Sequence, residues 1–150
     1  MIEIVRLREE HVEQLETFFE AINNLSYVDD FSPHPFDSSN AERICKYHGR
    51  DKYCAILLNG ETIIGYGLLR GWDEGYEVPA IGLCILETYH GKGLGKLLLD
   101  FLETASRLEG ASEVMLKVKK NNVAASSLYQ KQGFDLKEYN DLFLIGRKRL

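Results

Sequence analysis

Long apolar runs are missing from this chain. A membrane-crossing helix needs about 18 or more consecutive apolar residues, and no stretch approaches that, so no membrane span is expected. An excess of positive charge is missing too. The net charge is −5 at pH 7, whereas general nucleic-acid binding needs a basic face, so no nucleic-acid partner is expected. Paired cysteines are absent: Cys45, Cys54 and Cys84 are an odd number without Cys-x-x-Cys spacing and read as reduced, mostly structural thiols of a cytoplasmic protein. Neither they nor His34 and His48 show metal-ligand spacing, so no metal is expected. Glu3, Glu9 and Glu10 stand where an export signal would have a basic stretch followed by an apolar one. Repeats, low-complexity tracts and linkers are absent, so residues 1–150 are read as one domain. What the chain does have is 45% apolar and 11% aromatic residues, enough for a packed core.

The most informative stretch runs from Ala80 to Gly95. Ile81, Leu83 and Ile85 alternate with Gly82 and Cys84, so neither face is polar, as suits a strand covered on both sides. Gly91, Gly93 and Gly95 then lead into a helix whose apolar residues, Leu94, Leu97, Leu98, Phe101, Leu102, Ala105 and Leu108, recur at helical spacing. A glycine-rich turn feeding a helix N-terminus is suited to an anion, because first-turn N–H groups lack intrahelical partners and the dipole adds positive charge. Counting excludes two nucleotide loops. A P-loop would place Gly, not His90, five positions before Gly95, and Ser or Thr, not Leu97, after Lys96. A dinucleotide fingerprint begun at Gly91 or Gly93 reaches Lys96 or Leu98 where it needs glycine. The pattern that fits is Gln/Arg-x-x-Gly-x-Gly/Ala over 90–95, with His90 departing at the first place.

The rest of the chain is read in order. Ile2 to Leu7 is a first strand, and Val12, Leu15, Phe18, Phe19 and Ile22 mark one face of a helix stopping at Asn23-Asn24, with His11 on the surface. Tyr27 to Ser39 is irregular, because Pro33 and Pro35 bracket His34. It reads either as a substrate wall or as a connection packing Phe31 and Phe36 into the core. Asn40 or Ser39 is expected to cap a helix over 41–48 that Gly49 ends. Lys52–Leu58 and Glu61–Arg70 form a hairpin about the Asn59-Gly60 turn, and Gly65 and Gly67 suggest close approach of another backbone or a ligand. Residues 71–79 combine Trp72 and Tyr76 with Asp73, Glu74 and Glu77, and read as a substrate-binding segment or as a solvated acidic turn. A strand over 113–118 follows, with Lys117, Lys119 and Lys120 either solvated or meeting a phosphate. Asn122 then starts a helix that Gly133 ends, and 134–139 and 142–149 are closing strands about Asn140-Asp141. Ser126 and Ser127 lack a Gly-x-Ser-x-Gly elbow and are not read as nucleophiles.

The last helix supplies a second motif. Asn122, Ala125, Leu128, Tyr129, Gly133 and Phe134 match Asn-x-x-Ala-x-x-Leu-Tyr-x-x-x-Gly-Phe. Asn122, Ala125 and Tyr129 step by three and four and share one helical face. With the 90–95 loop, in this order, the chain resembles the GNAT N-acetyltransferases. The resemblance implies an α/β (α+β) fold, a mixed and mostly antiparallel central sheet flanked by helices, with two central strands splaying apart to admit acetyl-coenzyme A. It implies that Leu83, Ile85, His90, Gly91, Lys92, Gly93, Leu94, Gly95, Lys96, Asn122, Ala125 and Tyr129 bind that coenzyme. It further implies Leu83 as oxyanion donor and Tyr129 as general acid. Glu77 is the first choice of base, with Glu74 or Asp73 behind it, and His34, Trp72, Asp73, Glu74, Tyr76 and Glu77 are the candidate acceptor-binding residues. The expected acceptor is the primary amine of a small molecule such as an amino sugar or polyamine. A non-catalytic acyl-coenzyme A sensor and an acetylase of protein N-termini or lysines are the alternatives. An edge strand near the C-terminus leaves a homodimer open.

Overall fold

The apolar alternation and turn chemistry of the sequence build seven strands and four main helices, seen here in a computed structural model that describes residues 1–24 and 33–150. The strands are β1 (Ile2–Arg6), β2 (Lys52–Leu58), β3 (Thr62–Arg70), β4 (Ala80–Ile85), β5 (Glu113–Lys119), β6 (Asp135–Glu138) and β7 (Phe143–Arg149). The helices are α1 (Val12–Asn23), α2 (Ser38–Cys45), α3 (Leu94–Leu108) and α4 (Val123–Lys131). Residues 27–32 of the irregular stretch, Phe31 among them, lie outside the described residues.

One sheet has the order β1-β2-β3-β4-β5-β7-β6, antiparallel everywhere except between β4 and β5. The β2–β3 turn follows from Asn59 and Gly60, whose φ values of 54° and 72° are the left-handed ones a type I′ turn requires. On one face α1 and α2 bury Leu15, Phe18, Phe19 and Ile22 against Tyr66 and Leu68. On the other, α3 and α4 cover Ile56, Leu69, Ile81 and Leu116 with Leu98, Leu99 and Leu102. Each such side chain contributes about 1.5–3 kcal/mol when fully buried. The parallel β4–β5 contact has two register pairs, Ala80↔Met115 and Ile81↔Leu116. Past Ile81 the two strands splay, and the gap between them positions the site.

Four local expectations are corrected. His11 is buried, because its Nδ1 accepts the Arg8 backbone N–H at 3.0 Å in the turn leading to α1. Helix α2 starts at Ser38 and ends at Cys45: Asp37 is the cap, its carboxylate accepting the Asn40 backbone N–H at 2.8 Å. Gly65 and Gly67 make room for side chains, not for a ligand or another backbone. A Cβ on Gly65 would meet Ile85 Cδ1 at 2.8 Å, and one on Gly67 would meet Leu98 and Leu102 of α3 at 3.2 Å. Helix α3 is rotated from the face that its apolar residues suggest. Leu97, Phe101 and Leu108 are exposed, while Glu103 and Ser106 point inward with Leu98, Leu99 and Leu102.

Candidate active site

Backbone parity decides what faces the gap. The Leu86 N–H donates to Ile64 O on β3, and N–H directions alternate along a strand. Gly82 and Cys84 are therefore directed at β3, and the N–H and C=O groups of Leu83 and Ile85 are directed at the side where β5 has splayed away. A cavity of about 460 Å³ opens there, with Leu83, Ile85, Tyr89, His90, Gly91 and Gly93 along one wall. Leu94, Gly95, Lys96, Asn122, Ala125 and Tyr129 complete its surround. Gly91 and Gly93 have φ of 74° and 83°, and a Cβ on either would meet nothing within 4 Å. Glycine is needed at both for backbone conformation, and the loop's N–H groups lie open to a ligand. Gly95 is of another kind: Leu128 of α4 comes within 3.5 Å of where its Cβ would be.

Side chains fix this cleft from both ends. The His90 ring turns back to the strand, its Nε2–H donating to the Ile85 carbonyl at 2.7 Å. The histidine thus ties the loop to the end of β4. Lys96 pairs with Asp100 one turn along α3 at 2.7 Å, and Lys92 is exposed outside the cleft lining. On α4, the Asn122 side chain caps the helix by accepting the Ala125 N–H at 3.2 Å. Tyr129 is buried edge-on to Phe134, with ring centroids 5.9 Å apart. Burial, with Cys84 nearby, pushes its phenol up to about 12.

A second cavity, of about 890 Å³, lies on the opposite face of the sheet. It meets the first at Ile81, Gly82 and Lys117, which line both. Glu74, Tyr76, Glu77 and Val78 form its wall on the loop before β4, and Ala80, Gly82 and Met115 its floor. Arg70, Lys117, Phe143 and Arg147 stand around that floor. The two cavities share these residues at the splay and so lie back to back across the sheet, on opposite sides of the parting strands.

The profile of the acetyltransferase (GNAT) family matches residues 15–134. The chain belongs to the GNAT acetyltransferase family. Members of this family use acetyl-coenzyme A. The chain is 30% identical to spermine/spermidine N(1)-acetyltransferase of Bacillus subtilis over 118 residues, 75% of this chain and 73% of that one. It is 32% identical to mycothiol acetyltransferase of Corynebacterium glutamicum over 90 residues, 59% of this chain and 30% of that one. It spans 25% to 52% of the length of several curated relatives. Its fold is that of the N-acetyltransferase PaiA of Thermoplasma acidophilum in complex with coenzyme A. The TM-score is 0.77 at 22% identity, over 100% of this chain and 99% of that one.

Within this family member, the loop and helix motifs are brought to one cleft, and Glu74, Tyr76 and Glu77 to the other. Three candidate acceptor residues are not brought there. Trp72 is buried in the core with the Arg50 guanidinium 5.9 Å from its ring centroid. The Asp73 carboxylate accepts the backbone N–H groups of Arg50 and Asp51 at 2.9 and 3.2 Å, so it holds a loop. His34 donates from Nδ1 to the Pro35 carbonyl at 2.8 Å and takes the Tyr66 hydroxyl on Nε2 at 2.9 Å. Its ring packs on Phe19 and Phe36, and burial lowers its pKa. Arg70, Met115, Phe143 and Arg147 were unmarked by any motif; only strand register reveals them. The three cysteines are free and buried, which pushes Cys45 up to about 11 and Cys54 and Cys84 to about 12. At neutral pH they are thiols and not nucleophilic thiolates. Among the described residues, no group of three or more His, Cys, Asp or Glu is placed to hold a metal ion, and no helix is long and apolar enough to cross a membrane.

Proposed function

We propose that this chain is an acetyl-coenzyme A-dependent N-acetyltransferase acting on the primary amine of a small molecule, by direct transfer within a ternary complex. The observation that carries this reading is the meeting of the two cavities at Ile81, Gly82 and Lys117, where β4 and β5 part. The residues of the first cleft suit the coenzyme: an open glycine loop at the start of α3 for its pyrophosphate, and strand groups of Leu83 and Ile85 for its pantetheine arm. Asn122 and Ala125 flank that arm on α4. The second cavity is within the roughly 300–1,000 Å³ usual for small-molecule sites.

Bound acetyl-coenzyme A supplies an activated acetyl thioester; the chain supplies positioning and proton transfers. An alkylammonium titrates near about 10.4, so the acceptor must lose a proton before it can attack. Glu77 takes that proton directly or through a water, with Glu74 beside it on the same wall. Asp73 is left out because both its oxygens already serve the Arg50–Asp51 turn. The Leu83 N–H is the donor for the carbonyl oxygen as charge grows on it, a role worth about 2.7–4 kcal/mol in other enzymes. Tyr129 keeps its proton at neutral pH and delivers it to the departing thiolate.

The test is a panel of amines followed by release of free thiol, with calorimetric titration of acetyl-coenzyme A alongside. Thiol release that depends on the amine and gives an N-acetyl product is expected. Tight coenzyme binding without turnover on any amine would instead favour a sensor of acyl-coenzyme A.

A further inference from the structure

The second cavity is lined by more cations than carboxylates, although the whole chain is acidic. Sheet register explains how. Arg70 pairs with Ala80, Ala80 with Met115, and Met115 with Arg147. Residues paired directly across strands share a face, so these four form one row across β3, β4, β5 and β7. Gly82 and Lys117 lie two residues further along β4 and β5, on the same face. The floor is therefore small or apolar, made by Ala80, Gly82 and Met115, and it is flanked by Arg70 on one side and by Lys117 and Arg147 on the other. Three strand spacings put the two arginine backbones about 14 Å apart. Against these three cations, the cavity wall offers Glu74 and Glu77.

Each cation is held in place and keeps donors to spare. Arg70 Nη1 donates to the Pro33 carbonyl at 2.6 Å, and Arg147 Nη1 to Glu113 at 2.9 Å; a guanidinium has five N–H groups. Lys117 Nζ lies 4.8 Å and 4.5 Å from the ring centroids of Tyr139 and Phe143. Glu113 answers only Arg147, and the wall offers two carboxylates, so a polyamine reaching across the floor from Glu74 and Glu77 would set its further positive charge against Arg70 and Lys117.

We propose that the acceptor amine carries an anionic group, a carboxylate or a phosphate, which docks on the rim formed by Arg70, Lys117 and Arg147 while its ammonium faces Glu77. This rests on the transferase reading for the cavity's role but is tested separately from it. Paired probes are titrated calorimetrically into the enzyme–coenzyme A complex: glycylglycine against its C-terminal amide, phosphoethanolamine against ethanolamine, and spermidine. The anionic member of at least one pair is expected to bind about tenfold more tightly, the size of one charge-assisted hydrogen bond. Which pair shows the difference tells carboxylate from phosphate. Arg147→Gln and Lys117→Gln, both at exposed positions, are expected to shrink that difference mainly by weakening the anionic member of the pair, with the member that lacks the anion moving by no more than about twofold. Arg70→Gln is the third variant. No difference within either pair, or tighter binding of spermidine than of any anionic probe, overturns the proposal. Thiol release, read in parallel, reports on the transferase reading: selective binding without it would overturn that reading and leave the anionic rim standing.

Discussion

At the scale of single residues, burial determines which groups hold protons. The Tyr129 phenol, pushed up to about 12, is protonated throughout the neutral and mildly alkaline range. In the proposed role of general acid it would put no limb on the pH profile there, and a rise with pH is expected from the acceptor losing its proton. Tyr129→Phe is expected to lower kcat on the order of 10²–10⁴-fold at saturating coenzyme while leaving the shape of that profile alone. Unchanged turnover in a thiol-release assay would remove Tyr129 from the mechanism. His34 gives a stability effect of definite sign. Its pKa is lowered first by desolvation, so the folded state binds fewer protons than the unfolded chain once pH falls below the ordinary histidine value of about 6.5. The stability from neutral His34 is complete above that pH and is lost as pH drops toward the folded pKa. Thermal melts should show Tm falling on acidification below about 6.5, and His34→Asn should flatten that slope. An identical slope in the variant would mean other groups carry it.

At the scale of elements, what the sequence made legible was whatever short-range chemistry settles. The Asn59-Gly60 turn and the Asn122 cap lie where expected, because a left-handed φ and an orphan helix N–H are local demands. The buried face of α3 was not legible, because it contains polar residues whose partners come from elsewhere. Glu103 is buried and its two oxygens accept Lys148 Nζ of β7, each at 3.0 Å, and Ser106 bonds back to the Leu102 carbonyl at 2.8 Å. Periodicity counts apolar positions and so assigned Leu97 and Phe101 to the core in place of these two. Glu103→Ala strands the Lys148 ammonium against Phe134 and should cost about 3–5 kcal/mol in urea unfolding. Replacing both partners, as Glu103→Leu with Lys148→Met, should recover most of that loss, since an apolar pair of similar size leaves no buried charge. If the double variant is no more stable than the single one, the ion pair is not what holds α3 to β7.

At the scale of the whole molecule, the site arises from a failure of pairing that no stretch of sequence contains. The GNAT resemblance implied a splay; its location, after Ala80↔Met115 and Ile81↔Leu116, is a property of the seven-stranded order. The cationic rim is likewise invisible in the chain, where Arg70 and Arg147 are far apart, and appears once register sets them in one row. Because the cleft lies between strands and not on the surface of one, a bound coenzyme should stabilise the sheet as a unit. At about 100 times its dissociation constant, coenzyme A adds about 2.7 kcal/mol, which for a chain of this size raises Tm by roughly 5–11 °C. Hydrogen exchange then locates the effect. The Leu83 and Ile85 amides are directed at the gap and should slow on addition of coenzyme, together with Gly91 and Gly93 of the loop. Those of Gly82 and Cys84, directed at β3, should change little. Protection that ignores this alternation, or a melt that does not move, would mean that the coenzyme does not lie along β4.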